Sequence, residues 1–188
     1  MTPSGKSNWE RRLAKSVGIR HPLIGHGIEP FRHKSFKFKM MKTVEKLLDW
    51  PPVWLAGALA LAYALRHAGG GPLWARGLGL ALVVAGLVLM AQSARQFRAM
   101  KTTIVPHRTP SALVTNGVYR FSRNPIYLAD AAILLGAILY WYALAALILV
   151  PAFMAIIEWR FIRPEEERLR ASFDTAFAAW EKRVRRWI

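Results

Sequence analysis

The sequence predicts an all-α, polytopic membrane protein with four transmembrane helices and a C-terminal cytosolic amphipathic helix. Long runs without charge alternate with polar segments, the basic residues gather in every second polar segment, and 54% of the 188 residues are hydrophobic. Such a chain has too little polar surface to cover its apolar runs in water. Helices satisfy their own backbone hydrogen bonds, which is what a chain in lipid requires.

Three apolar runs define the predicted spans. Residues 50–65 and 77–94 carry no charge over 16 and 18 positions, and the 34 residues of 124–157 contain one charged residue, Asp130. Because about 17–25 apolar residues cross a membrane, the third run is long enough for two helices folded back as a hairpin. Tyr140, Trp141 and Tyr142 lie near its middle, and such aromatic residues favour the membrane–water boundary. The predicted spans are about 50–67, 76–95, 125–140 and 142–158.

Small residues at helical spacing predict where these spans pack, because small side chains let helix backbones approach closely in lipid. The candidate pairs are Ala58 with Ala62, Ala81 with Ala85, and Ala132 with Gly136. In the alternative reading, the runs are core helices of a soluble protein. The first run is short enough for that reading, but four such helices in so small a chain disfavour it.

The basic residues predict the orientation. Residues 1–49 contain 11 of the 27 Lys and Arg residues, 95–123 contain 6 and 158–188 contain 8, whereas the 66–76 loop contains 2. With four spans, the three rich segments share one side. Lys and Arg accumulate on the cytoplasmic side, so we expect an integral protein of the bacterial inner membrane with both termini cytosolic. Anionic lipid headgroups are the natural partners of these segments.

The N-terminal segment 1–39 is basic, with scattered Pro and Gly, and lacks the apolar core of a secretory signal. We expect a disordered tail on the anionic leaflet, followed by a membrane domain at 40–188. In an alternative reading, translation starts at Met40 or Met41.

Composition excludes several functions. The absence of cysteine rules out a disulfide-stapled fold, a thiolate metal site and a cysteine nucleophile. The five histidines are scattered, and His107 has no companion ligand, so we predict no metal site. A net charge of +16 would suggest nucleic-acid binding in a soluble protein. Here the predicted topology accounts for much of that charge, and we expect neither a nucleic-acid partner nor an obligatory protein partner.

Two motifs flank the predicted hairpin. Before it stands Leu-Val-Thr-Asn-Gly-Val-Tyr-Arg at 113–120, followed by Phe-Ser-Arg-Asn-Pro-Ile-Tyr at 121–127. After it stand Arg-Pro-Glu-Glu-Glu-Arg-Leu at 163–169 and then Phe173, Phe177 and Trp180. Over about 77–188 the chain resembles the isoprenylcysteine carboxyl methyltransferases and the related phospholipid N-methyltransferases. It departs from their pattern at five positions: Val118 replaces Pro, Asn124 replaces His, Asp174 replaces Gly, and Phe177 and Trp180 replace Tyr.

The resemblance implies S-adenosylmethionine as methyl donor. The residues that stand at the positions of the family's cofactor-binding motifs are Gly117, Tyr119, Arg120, Arg123, Asn124, Pro125, Tyr127, Glu165 and Glu166. A carboxylate at Glu165 or Glu166 suits the methionine ammonium, and Arg120 or Arg123 suits its carboxylate. Tyr119 and Tyr127 offer ring faces to adenine or to the sulfonium, while Asn124 suits the ribose or the carboxylate. No catalytic residue is assigned, although Arg123 is a candidate, because methyl transfer mainly needs aligned reactants.

Other interpretations of these residues stay open. Glu165–Glu167 would be a solvated helix face with Arg163–Glu167 and Glu166–Arg170 as i,i+4 pairs. The arginines would be cytosolic flank charges, and the tyrosines interface aromatics. Asp130 lies one turn inside the third span, where an unpaired carboxylate points to function unless it reaches the interface.

For the function, the expected acceptor is lipophilic: a prenylcysteine-like carboxylate, a phospholipid amine or a thiol. The alternatives are a non-catalytic basic membrane protein that binds anionic lipid and a sterol-type membrane reductase with a nicotinamide cofactor.

Overall fold

The computed structural model describes residues 48–100 and 112–188. In these two ranges all regular structure is helical, which confirms the all-α class. The expected disordered tail at 1–39, the alternative starts at Met40 and Met41, and His107 lie outside the described residues.

Two helices precede the loop at residues 112–124, called the central loop. Helix α1 spans Pro51–Ala64, and helix α2 spans Leu73–Ala99. Two prolines open α1, where their missing N–H groups cost no helical hydrogen bond. Helix α2 extends one turn beyond the predicted 76–95 span, and this turn brings Gln96 and Phe97 against the loop that follows.

The second half of the chain is a helical hairpin with a long C-terminal arm. Helix α3 spans Pro125–Tyr140, after which the chain reverses at residues 141–143. Tyr142 has a positive φ of 53° in this turn. A 3₁₀ turn at Leu144–Ile148 leads into helix α4, Leu149–Ile157. The hairpin predicted within the 34-residue apolar run is therefore present.

The chain does not leave its helix at the predicted end of the fourth span. A π-helical turn at Glu158–Ile162 joins α4 to helix α5, Arg163–Glu181, so that residues 144–181 form one helix of 38 residues. Pro164 lacks an N–H and its ring clashes with the carbonyl four residues earlier in a regular helix. The wider π-turn directly before Pro164 accommodates this mismatch, and such turns are frequent at functional sites.

Within residues 48–100 and 112–188, two helices, Leu73–Ala99 and Leu144–Glu181, are long and apolar enough to cross a membrane. Pro51–Ala64 and Pro125–Tyr140 are apolar but shorter. Helix α2 exposes a broad apolar surface that suits contact with lipid; it comprises Leu73, Trp74, Leu78, Leu80, Val84, Leu87 and Val88. Four spans and the orientation of the chain stay predictions.

Helices α2 and α3 approach through glycine. A Cβ atom at Gly79 would lie 2.5 Å from the carbonyl oxygen of Gly136, and one at Gly136 would lie 2.6 Å from the carbonyl oxygen of Gly79. Ala75, Gly79, Gly86 and Ser93 are the buried residues of α2 and recur at spacings that share one helix face. Ala81 and Ala85 are exposed, so the prediction that they pack against another helix is wrong. Ala62 and Gly136 are buried, as expected.

Two apolar clusters organise the described residues. One joins α1, α3 and α4 through side chains that include Leu134, Ile138 and Ile157. The other joins the central loop to α5 and the C-terminus through Val114, Tyr119, Phe177, Trp180 and Val184. This second cluster positions the segments that carry both sequence motifs.

Gly79 and Gly77 form a matched pair for testing the contact between α2 and α3. A methyl group at Gly79 must push two backbones apart, whereas one at Gly77 meets nothing within 4 Å. We expect Gly79→Ala to lower the free energy of unfolding by about 1–3 kcal/mol. Gly77→Ala should raise it slightly, because Ala favours a helix over Gly by about 0.8–1.0 kcal/mol. Thermal unfolding in detergent, followed by circular dichroism, measures both; equal midpoints would contradict the close approach.

Candidate functional site

A cavity of about 390 Å³ lies where the central loop, α3 and α5 meet, with the start of α1 at its edge. Small-molecule sites commonly have volumes of about 300–1,000 Å³. The apolar part of the lining includes Trp50, Met90, Phe97, Leu169 and Trp180. Its charged members are Arg123, Asp130, Glu165 and Glu166.

The structure brings six of the nine predicted site residues to this cavity: Tyr119, Arg123, Asn124, Tyr127, Glu165 and Glu166. The other three are not among the lining residues. Gly117 has a φ of +59° and packs so closely against Gln96 that a Cβ atom would collide with it. Arg120 is exposed, and Pro125 is fully buried at the first turn of α3. Gly117 and Pro125 therefore shape the backbone around the cavity.

Glu166 is buried and binds two arginines. Arg186 donates from Nη2 to Oε2 at 2.7 Å and from Nε to Oε1 at 3.1 Å, and Arg123 Nη1 lies 3.4 Å from Oε1. The bonds to Glu166 raise the pKa of Arg186 above its ordinary value. Both oxygens of Glu166 are thus engaged by protein groups. Glu165 lines the same cavity, and both carboxylates stay candidates for the cofactor ammonium.

The i,i+4 pairs of the solvated-face interpretation are not the ones that form. Arg163 donates to Glu158 at 3.2 Å, and Arg170 donates to Glu181 at 2.9 Å. The first contact joins α5 to the π-turn, and the second joins the two parts of α5 on either side of its bend. The acidic run takes part in the tertiary structure through Glu166, which pairs with Arg123 and Arg186.

The C-terminal residues fasten the central loop. The backbone N–H of Arg123 donates to the carbonyl of Arg185 at 3.0 Å, and the Asn124 side-chain amide donates to the carbonyl of Arg186 at 3.1 Å. Trp187 Nε1 donates to Glu158 Oε2 at 3.1 Å, and Arg186 Nη1 donates to Glu158 Oε1 at 2.8 Å. The polar groups of Asn124 thus serve the fold as well as the cavity.

One buried donor of Arg123 has no partner among the described residues. Its side chain is 9% exposed, and its Nη1 donates to Glu181 Oε1 at 2.7 Å. Its Nε is buried and has no hydrogen-bond partner within 48–100 and 112–188. A buried donor without a partner costs about 1–3 kcal/mol or more for a charged group, so this atom is suited to an acceptor supplied by a ligand.

The two tyrosines are buried, unlike simple interface aromatics. Tyr119 contacts Phe97 edge-on at 5.6 Å and accepts a hydrogen bond from Trp180 Nε1 through its backbone carbonyl at 3.2 Å. Burial raises the pKa of Tyr119 above its ordinary range, so its phenol stays neutral. Tyr127 lies beside Phe161 with ring centroids 6.5 Å apart. Both side chains therefore belong to the cavity wall.

Asp174 stands where the family pattern has glycine. Its φ of 32° and ψ of −106° are not helical, and α5 bends there. A residue with a Cβ is strained in this left-handed half of φ space, whereas glycine enters it readily. Beyond the bend, Phe177 and Trp180 are buried against the loop and line the cavity.

Sequence reasoning missed several groups. No local sequence pattern indicates the role of Arg186, which is the main partner of Glu166. Trp50, directly before α1, and Met90, in α2, line the cavity from segments whose sequences are plain apolar runs. Neither residue carries a sequence signal for this position. In the described ranges, no group of three or more His, Cys, Asp or Glu residues could hold a metal.

Comparisons with known proteins point to one family. A family model described as phospholipid methyltransferase matches residues 74–176, more than half of the chain. No curated protein and no solved structure matches the chain. The matched region contains α2, the loop motif, the hairpin and the acidic motif of α5, which confirms the resemblance drawn from those motifs.

Glu166 and Glu167 are matched for a test of the ionic network, because the first is buried and the second exposed. Glu166→Ala leaves Arg123 and Arg186 without their shared carboxylate. Breaking a buried ion pair costs about 3–5 kcal/mol, and we expect about 3 kcal/mol since Arg186 is partly exposed. Glu167→Ala should change stability by less than about 0.5 kcal/mol. Thermal unfolding in detergent compares the two, and an unchanged midpoint for Glu166→Ala would refute the network's role.

Proposed function

We propose, because this chain belongs to the phospholipid methyltransferase family, that it transfers a methyl group from S-adenosylmethionine to a lipophilic acceptor at the cytosolic face of a membrane. The observation that carries the proposal is the 390 Å³ cavity, whose lining combines acidic residues and Arg123 with aromatic and apolar side chains. Among the described residues, the buried Nε of Arg123 has no hydrogen-bond partner.

The cavity lining fits the chemical parts of S-adenosylmethionine. The methionine end carries an ammonium and a carboxylate. The Glu165 carboxylate suits the ammonium, and Arg123 Nε suits the carboxylate through a charge-assisted hydrogen bond. Tyr119, Phe177 and Trp180 supply aromatic surface for adenine and for the positively charged sulfonium.

When bound, S-adenosylmethionine supplies a methyl group already activated by its attachment to a sulfonium. The residues of this chain are then needed for alignment and for exclusion of water. The bonds of Arg123 and Asn124 to the C-terminal residues hold the loop motif against α5, so that both halves of the lining stay in place. Buried Tyr119 and Trp180 close the apolar side of the cavity.

The membrane setting of the proposal follows from charge and hydropathy. Four spans would place the basic segments 1–49, 95–123 and 158–188 on one side, and the positive-inside rule makes that side cytosolic. Both motifs lie in the second and third of these segments, so the cavity would open at the cytosolic face. Trp50 and the prolines of α1 at its edge would let a lipid-soluble acceptor approach from the bilayer.

Binding of S-adenosylhomocysteine tests the proposal without knowledge of the acceptor. We expect the purified chain in detergent to bind it in isothermal titration calorimetry. Glu165→Gln should weaken binding at least 10-fold, because the neutral amide loses the charge-assisted bond to the ammonium. The exposed neighbour provides the control, and Glu167→Gln should bind like the wild type.

Circular dichroism should show the same helix content for the wild type and both variants. If the folded wild type binds no S-adenosylhomocysteine at millimolar concentration, the methyltransferase proposal fails. The lipid-binding alternative would then be the better account of the basic surface.

A further inference from the structure

A second cavity, of about 300 Å³, lies between the loop that joins α1 to α2 and the end of α3; we call it the loop pocket. Its lining includes Arg66, His67, Gly70, Arg76, Tyr140 and Trp141. Helix α3 carries Tyr127 to the first cavity and Tyr140 to the loop pocket. A helical rise of about 1.5 Å per residue separates these two residues by about 20 Å. The loop pocket is therefore a separate site at the opposite end of the helices.

The loop between α1 and α2 packs against the turn of the hairpin. A Cβ atom at Gly71 would lie 2.6 Å from Cγ of Tyr142, so only glycine allows this approach. The rings of His67 and Tyr142 meet edge-on at 6.4 Å, and those of Tyr63 and Trp141 meet edge-on at 5.2 Å. These contacts hold both walls of the loop pocket in place without a ligand.

The two arginines of the loop pocket are oriented by contacts with the protein. Arg66 Nη1 donates to the carbonyl of Tyr63 at 2.9 Å, and its guanidinium lies 3.8 Å from the centre of the Tyr63 ring. The guanidinium of Arg76 lies so close to Gly70 that a Cβ atom there would collide with it. Gly70 also has a φ of +67°, which glycine adopts readily. The loop thus leaves room for the second guanidinium.

The positive charge of the loop pocket has no counterion in the chain. Within residues 48–100 and 112–188, neither Arg66 nor Arg76 forms an ion pair, although both are exposed. Asp130 is the only acidic residue between positions 50 and 157, and it lines the first cavity. The first turn of α2, where Arg76 lies, contains no acidic residue, and the N-terminus of a helix itself favours an anion. The loop pocket therefore suits a negatively charged ligand group.

We propose that the loop pocket binds the phosphate group of a phospholipid. A guanidinium offers paired donors that match phosphate oxygens. Tyr140 and Trp141 in the lining are aromatic residues of the kind that lie at the depth of lipid headgroups. Leu65, Leu73 and Trp74 are exposed beside the loop pocket and offer apolar surface to acyl chains. This apolar surface favours a lipid over a free phosphate.

The bound lipid is not a methyl acceptor. Four spans would place the 66–76 loop on the side opposite the first cavity, so this lipid belongs to the other leaflet. Its phosphate would join the end of α1, through Arg66, to the start of α2, through Arg76. It would thereby hold the helix ends together at the face where the chain has few polar contacts of its own.

A local reporter tests the proposal on the full chain in dodecyl maltoside. The chain has no cysteine, so Ala64→Cys, at the exposed end of α1, supplies a single thiol for bimane beside the loop pocket. The probes are dioctanoyl-phosphatidylglycerol, dioctanoylglycerol and inorganic phosphate. The first should change the fluorescence saturably, with an affinity about 10-fold higher than that of either other probe.

Three results would overturn the proposal. Equal affinities for dioctanoyl-phosphatidylglycerol and dioctanoylglycerol would show that the phosphate is not recognised. Inorganic phosphate binding as tightly as the lipid would assign the loop pocket to free phosphate. A fluorescence that no probe changes saturably would show that none of them binds there.

Variants of the labelled chain assign the binding to the loop pocket. Arg76→Gln should weaken binding of dioctanoyl-phosphatidylglycerol about 10-fold, whereas Arg76→Lys keeps the charge and should lose less. Arg95 is an equally exposed arginine of α2 that lies about 28 Å farther along the helix. Because this separation exceeds the Debye length of about 8 Å, Arg95→Gln should bind the lipid like the parent chain.

Equal affinities of Arg76→Gln and Arg95→Gln for the lipid would contradict the assignment. If circular dichroism shows that Arg76→Gln has lost helix content, Arg66→Gln and the three probes on the parent chain decide. The test uses no S-adenosylmethionine or S-adenosylhomocysteine, so its result leaves the proposed methyl transfer unchanged.

Discussion

The carboxylate of Glu166 connects three segments that are distant along the chain: helix α5, the loop before α3 and the C-terminal residues. Arg123 approaches it from the loop, and Arg186 reaches it from the C-terminus. The same two arginines bind Glu181 and Glu158, so the contacts form one connected set of charges. A buried charge is tolerated only when it is paired, so the ion pairs of Glu166 hold these three segments against one another. The walls of the cavity are made of these segments.

The packing of α2 against α3 depends on a different interaction. In lipid, the burial of apolar surface contributes little free energy to the association of helices as apolar as α2. Close van der Waals contact must then provide the favourable free energy. Gly79 and Gly136 provide this contact by bringing two backbones together. The contact fixes α3, which carries Tyr127 and Asp130 to the cavity. The glycine interface and the ionic network therefore position opposite sides of the same site.

Much of the fold follows from the sequence, because run length and the aromatic trio at 140–142 determine where helices can begin and reverse. The glycine interface was not predictable in detail, since Ala81 and Ala85 have the same helical spacing and lie on the exposed side. The π-turn was not predictable either, because it depends on how the helix accommodates the ring of Pro164 without ending. The loop and acidic motifs predicted which segments meet. The Arg186–Glu166 pair depends on tertiary geometry that no local pattern reports.

A methyl donor is proposed to bind where the loop motif meets α5. A crystal structure of the full chain grown with S-adenosylhomocysteine in a lipidic mesophase tests it most directly. The expected result is ligand density in the cavity, with its carboxylate at hydrogen-bond distance from Arg123 Nε and its ammonium beside Glu165. An empty cavity at a saturating ligand concentration, or the ligand bound elsewhere on the chain, would contradict the claim.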